Sequence, residues 1–70
     1  MPHIAITMFP GRDEQTKQKL AHIMQEALCE ELGISKETIS VSIEDIPKNE
    51  WEDSMKKIPE DAMFIHFGKM

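Results

Sequence analysis

The sequence predicts an α+β fold: a βαβ subunit with parallel strands, a short C-terminal helix or strand, and a sheet completed by oligomerisation. Three observations lead there. Residues 3–9 and 38–44 show the period-two alternation of strands. Residues 13–32 carry an apolar stripe at helical spacing. The chain has 70 residues, and a chain of that size buries only about 60% of its unfolded surface, which is marginal for a lone domain.

In the first strand, Ile4, Ile6 and Met8 alternate with His3, Ala5, Thr7 and Phe9. Ala5 and Phe9 imply that the second face is not freely solvated. Pro10-Gly11 ends the strand as a turn. The helix then runs from about Asp13 to Leu32. Asp13 is its N-cap, and Glu14 in the first turn suits the macrodipole. Leu20, Ile23, Met24, Ala27, Leu28 and Leu32 form the apolar stripe, with Lys17, Gln18, Gln25, Glu26 and Glu30 on the other face. Gly33 stands where a helix-ending glycine belongs.

The second strand, Thr38–Glu44, puts Ile39, Val41 and Ile43 on one face and Ser40, Ser42 and Glu44 on the other. Strand, long helix and strand make a βαβ unit, so a right-handed crossover and parallel pairing follow. Trp51, Met55 and Ile58 at i, i+4 and i+7 predict a short helix before Pro59. Residues 62–67 read as a short edge strand, or as an arm reaching a neighbouring subunit. No repeat or linker divides the chain, so residues 1–70 are expected to be a single domain.

Two strands and one helix cannot close a core. Cys29 is the only cysteine, so no disulfide can compensate within the chain. A buried, reduced thiol fits a cytoplasmic protein. Oligomerisation is therefore the expected route to a complete core. Thirteen acidic and eight basic side chains leave a net charge of −5, which argues against nucleic acid. No apolar run approaches a membrane span, and no signal-peptide pattern is visible.

The glycines are isolated, so no phosphate-binding loop is expected. His3, His22, His66 and Cys29 lack metal-ligand spacing; histidines so placed are read as surface or hydrogen-bonded residues. Two residues stand out. Pro2 follows Met1, and a small second residue allows the methionine to be clipped. The exposed secondary amine, lowered in pKa by an apolar surround, would be a base suited to proton abstraction beside a carbonyl. A proline at position 2 can equally arise by chance. Arg12 is the only arginine, just after the turn and beside the helix start. Its planar fork fits a carboxylate. Pairing with Asp13 or Glu14 is the other reading.

Met1-Pro2-His3-Ile4, Pro10-Gly11-Arg12-Asp13-Glu14-Gln15, Val41–Pro47 and Trp51 together resemble the 4-oxalocrotonate tautomerase family. The likeness covers roughly residues 1–51 without a gap. The tail is more similar to the PptA-like small N-terminal-proline tautomerases. The resemblance implies a βαβ subunit assembled as a dimer or a hexamer built as a trimer of dimers. It also implies cofactor-free keto–enol tautomerisation of 2-oxo acids or their enols. Pro2 matches the family's catalytic base, and Arg12 an arginine that binds the substrate carboxylate, often from a neighbouring subunit. Trp51 matches an aromatic residue of the apolar pocket, or is a core or interface tryptophan.

Ser40 stands where the family has a second arginine that polarises the carbonyl in dicarboxylate-processing members. A hydroxyl cannot supply that charge. A phenylenolpyruvate-like monocarboxylate therefore suits Arg12, Trp51 and Phe9 better than 2-hydroxymuconate. The expected substrate-binding set is Arg12, Trp51, Phe9 and Ser40, with no cofactor and no metal. Two alternatives stand beside this reading: a hydratase or dehalogenase of unsaturated acids using the same Pro2, and a non-catalytic βαβ interaction module.

Overall fold

A computed structural model describes residues 1–68. Strand β1 (His3–Met8) is followed by helix α1 (Glu14–Leu32), strand β2 (Ser40–Asp45) and the short helix α2 (Trp51–Lys56). Single 3-10 turns lie at Lys36–Thr38, Lys48–Glu50 and Glu60–Ala62. β1 and β2 pair in parallel, in a register that runs from His3 opposite Ser40 to Met8 opposite Asp45. The predicted βαβ unit is therefore present.

Helix α1 begins and ends as its sequence dictates. The Asp13 carboxylate accepts the Thr16 N–H at 2.8 Å, which satisfies one of the free donors of the first turn. This bond holds the Asp13 carboxyl below its ordinary range. At the other end Gly33 takes the left-handed conformation, φ 65°, and its N–H donates to the Cys29 carbonyl at 2.9 Å. The observed helix starts one residue later than expected because Asp13 is the cap and not a helical residue.

Side-chain contacts then fasten α1 to the second half of the chain. The Gln25 amide donates to the carbonyls of Lys36 at 3.0 Å and Ile39 at 3.3 Å. Lys17 bridges Asp45 and Glu14, each at 3.1 Å. These hydrogen bonds, Asp45 first, raise the Lys17 ammonium above its ordinary pKa. Cys29 is half-buried, not fully buried as expected, and its thiol donates to the Ile34 carbonyl at 3.0 Å.

Helix α1 packs chiefly against β2. On its β1 side an open groove of about 440 Å³ runs past Ile4, Met24, Ala27 and Leu28. Among the described residues only Ile39 and Ile46 are buried hydrophobics. Ile23 and Leu32 of the apolar stripe stay 51% and 54% exposed. On the opposite face of the sheet, His3, Ala5, Ser40, Ser42 and Glu44 are all exposed.

Two expectations are corrected at the ends of elements. Thr38 belongs to a 3-10 turn, and β2 starts at Ser40. Residues 62–67 form no strand within this chain: Ala62 closes a 3-10 turn, and Phe64, Ile65 and Phe67 are 94%, 75% and 104% exposed. A strand needs a neighbour to accept its N–H groups, and both sheet strands lie elsewhere. The short helix expected around Trp51 and Met55 is α2, and the Ile58 N–H donates to the Met55 carbonyl just beyond it. Among the described residues no helix is long and apolar enough to cross a membrane.

Candidate functional site

The five residues expected to form the site fall into two groups at opposite ends of β1. Pro2 and Ser40 lie at its start. Phe9, Arg12 and Trp51 lie past its end. Phe9 lies seven positions beyond Pro2 along extended chain, which at the usual strand rise is about 23 Å.

At the start of β1, Pro2 is half-buried and its carbonyl accepts the Ser40 N–H at 3.3 Å. This bond continues the β1–β2 ladder by one step and places Ser40 beside Pro2. Met1 precedes the proline and is fully exposed. While Met1 is attached, the Pro2 nitrogen is an amide without usable basicity. The Ser40 side chain stands on the open face of the sheet. Its Oγ lies 2.6 Å from His3 Nδ1, and Ser42 Oγ lies 2.9 Å from His3 Nε2. His3, expected to be a surface or hydrogen-bonded residue, is both, and its two serine partners are what sequence reading missed. The signal was available only in part: Ser40 and Ser42 share a strand face, but the parallel register decides that His3 lies between them.

At the other end, Gly11 adopts φ 136°, a conformation that side chains rarely take, and turns the chain towards α1. Arg12 follows, exposed, immediately before the N-cap. Its Nη1 makes one long hydrogen bond, 3.5 Å, to the Phe9 carbonyl. Both carboxylates that could have neutralised it are engaged elsewhere: Asp13 caps Thr16, and Glu14 pairs with Lys17. Among the described residues Arg12 takes part in no ion pair. A mostly apolar groove of about 230 Å³ starts at Arg12 and runs past Met8, Leu20 and Ile23, with Lys17 and Lys19 at its edge. Phe9 and Trp51 meet edge to face, ring centroids 5.1 Å apart. Trp51 is half-buried and Phe9 is 42% exposed.

The chemistry available is thus divided. One end offers a ring nitrogen at a chain start, next to polar hydrogen-bonding side chains. The other offers a guanidinium without an ion-pair partner among the described residues, beside an apolar groove, with an edge-to-face aromatic pair following the same strand end. The chain also matches the family model described as "Tautomerase enzyme" over residues 2–52. A "Probable tautomerase" of Xylella fastidiosa is 35% identical over 51 residues, which are 73% of this chain and 62% of that protein. The likeness therefore spans less than two thirds of that relative. A "Probable tautomerase" of Bacillus cereus is 34% identical over 58 residues, 83% of this chain and 95% of the relative. A "2-hydroxymuconate tautomerase" of Bacillus subtilis is 33% identical over 58 residues, 83% of this chain and 94% of the relative.

Proposed function

The chain belongs to the tautomerase family of enzymes, and from that premise we propose that it catalyses cofactor-free keto–enol tautomerisation of 2-oxo acids, with Pro2 as general acid and base after Met1 is removed. Neutral Pro2 takes the proton from the enol oxygen, or from the carbon next to the carbonyl. The resulting ammonium returns a proton to the other end of the conjugated system. No oxidant or co-reactant is needed, since the proton that leaves one atom enters another.

The observation that carries this reading is the free guanidinium of Arg12. An acidic chain holds its single arginine exposed at a turn, with both adjacent carboxylates tied up by other partners. Such a fork binds a carboxylate in two hydrogen bonds. The apolar groove that continues from Arg12 suits a substrate with one carboxylate and an apolar end, so a phenylenolpyruvate-like acid is preferred over 2-hydroxymuconate near neutral pH.

Pro2 and Arg12 of one chain cannot meet over one substrate, given their separation along β1. The working site therefore combines Pro2 of one copy with Arg12 of another. The sparse core and the exposed Ile23 and Leu32 support the same self-association, as a dimer or a trimer of dimers. Trp51 and Phe9 would supply apolar walls. Cytoplasmic location fits a reduced Cys29.

Intact mass of the purified protein and turnover of phenylenolpyruvate test the reading. Loss of Met1, and loss of turnover in Pro2→Ala or after chemical capping of the Pro2 nitrogen, are the expected results. Retained Met1 in an active protein, or full activity in either altered form, overturns it.

A further inference from the structure

We propose that His3, Ser40 and Ser42 form a proton-dependent anion-binding patch beside Pro2, in which His3 positions the two serine hydroxyls to receive a second carboxylate of the substrate. The inference rests on the tautomerase reading for the identity of the substrate, but not for the chemistry of the patch.

The geometry is specific. His3 stands opposite Ser40 in the parallel register, and Ser42 follows on the same face. Both imidazole nitrogens are engaged, Nδ1 with Ser40 Oγ at 2.6 Å and Nε2 with Ser42 Oγ at 2.9 Å. All three side chains are exposed on the face away from α1. The Ser40 main chain reaches the Pro2 carbonyl, so the patch adjoins the proposed base.

Protonation changes what the hydroxyls can offer. A neutral imidazole has one N–H and one bare nitrogen. The bare nitrogen takes the hydroxyl hydrogen of one serine, and that serine has no donor left for a ligand. An imidazolium donates from both nitrogens, so both serines accept from it. Both hydroxyl hydrogens are then released to point outward, backed by a positive charge. A single proton thus converts the patch from one free donor to two, and from neutral to cationic.

Two other charges flank the patch at this face. Neighbouring positions of β1 on it, Ala5 and Thr7, do not titrate. On β2 the same face carries Glu44, at the register position of Thr7. It lies about 13 Å along the strand from Ser40 but only about 7 Å from Ser42, inside the screening length at physiological salt, so it opposes an anion at the Ser42 end of the patch. The remaining charge is the Pro2 amine itself once Met1 has left.

The consequence is a substrate preference that follows pH. The test is the ratio of kcat/KM for 2-hydroxymuconate to that for phenylenolpyruvate, measured on protein whose mass shows Met1 removed. Pro2 and Arg12 serve both substrates, so their own titrations cancel in the ratio. The ratio is expected to rise about fivefold to tenfold from about pH 8 to about pH 5.5, as charge-assisted hydrogen bonding to the second carboxylate sets in. His3→Gln should flatten the rise, and Ser40→Ala should reduce it. A flat ratio in the unaltered protein, or an unchanged rise in His3→Gln, overturns the proposal.

A second measurement needs no turnover. Fumarate should move the midpoint of the His3 C2–H titration upward in the NMR spectrum, whereas crotonate, with one carboxylate, should not. Equal effects of the two acids, or none, overturn the proposal. An inactive protein that still shows the fumarate shift would defeat the tautomerase reading alone.

Discussion

The Phe9 ring meets Trp51 edge-on, at an interplanar angle of 78°. This contact joins the end of β1 to the start of α2, two segments 42 positions apart in the chain. Edge-to-face pairs contribute about 0.5–1.5 kcal/mol beyond the area they bury. A double-mutant cycle with Phe9→Leu and Trp51→Leu, read by urea denaturation at fixed protein concentration, should give a coupling in that range. Additive effects would mean that the rings do not hold each other in solution.

Arg12 should act on binding more than on stability. Its only hydrogen bond among the described residues is a long one to the Phe9 carbonyl, so Arg12→Ala should leave the unfolding midpoint nearly unchanged. Losing a charged hydrogen-bond donor to a carboxylate should lower kcat/KM for phenylenolpyruvate by about 10- to 100-fold, mainly through KM. Arg12→Lys should recover only part of this, because an ammonium keeps the charge without the planar fork. Full recovery by lysine would assign a purely electrostatic role.

Stability should depend on protein concentration. With Ile39 and Ile46 the only buried hydrophobics among the described residues, the proposed self-association would supply burial that the single chain lacks. An obligate assembly is stabilised by mass action, so its thermal midpoint rises with concentration. Ile23→Glu, on a side chain 51% exposed in the single chain, would shift a monomer by no more than about 0.5 kcal/mol. In an assembled protein it should reduce subunit mass to the monomer value in light scattering.

The two ends of α1 give separate stability tests. Gly33→Ala should destabilise by about 1 kcal/mol, because an alanine resists the left-handed conformation. Nothing lies within 4 Å of the added Cβ, so steric clash contributes nothing. At the other end, Asp13 has a carboxyl lowered from its ordinary 3.8 chiefly by the hydrogen bond from Thr16. Its stabilisation is therefore present above 3.8 and disappears as the pH falls through the lowered folded value. Asp13→Ala should lower the unfolding midpoint at pH 7 and close the gap to the unaltered protein on acidification. A gap that stays constant down to the acid transition would remove the cap from the account.

Much of the fold was legible because its signals are local. Periodicity found β1, α1 and β2, while Asp13 and Gly33 marked the helix ends to within one residue. Of the two readings of residues 62–67, an edge strand or an arm towards a neighbouring subunit, the strand within this chain failed because strand formation is not a local property. The segment is β-prone, but no edge of the described chain receives it. The candidate site was proposed from residue types. Pro2 and Arg12 stood out from position and composition, and Phe9 and Trp51 from their aromatic character. His3 did not, since a lone histidine on a polar strand face looks like solvated surface until its cross-strand neighbours are known.

By itself the sequence determined that a strand, a capped helix and a second strand follow one another, and it singled out Pro2 and Arg12 as the candidates for the proposed chemistry. These follow from side-chain spacing and from the preferences of single residues. Only the tertiary structure decided which of them are neighbours. The parallel register set His3 between Ser40 and Ser42, and the extended β1 held Pro2 and Arg12 at opposite ends of one chain. Register depends on hydrogen bonds between segments 37 positions apart, and no local pattern encodes the distance that a rigid strand then imposes.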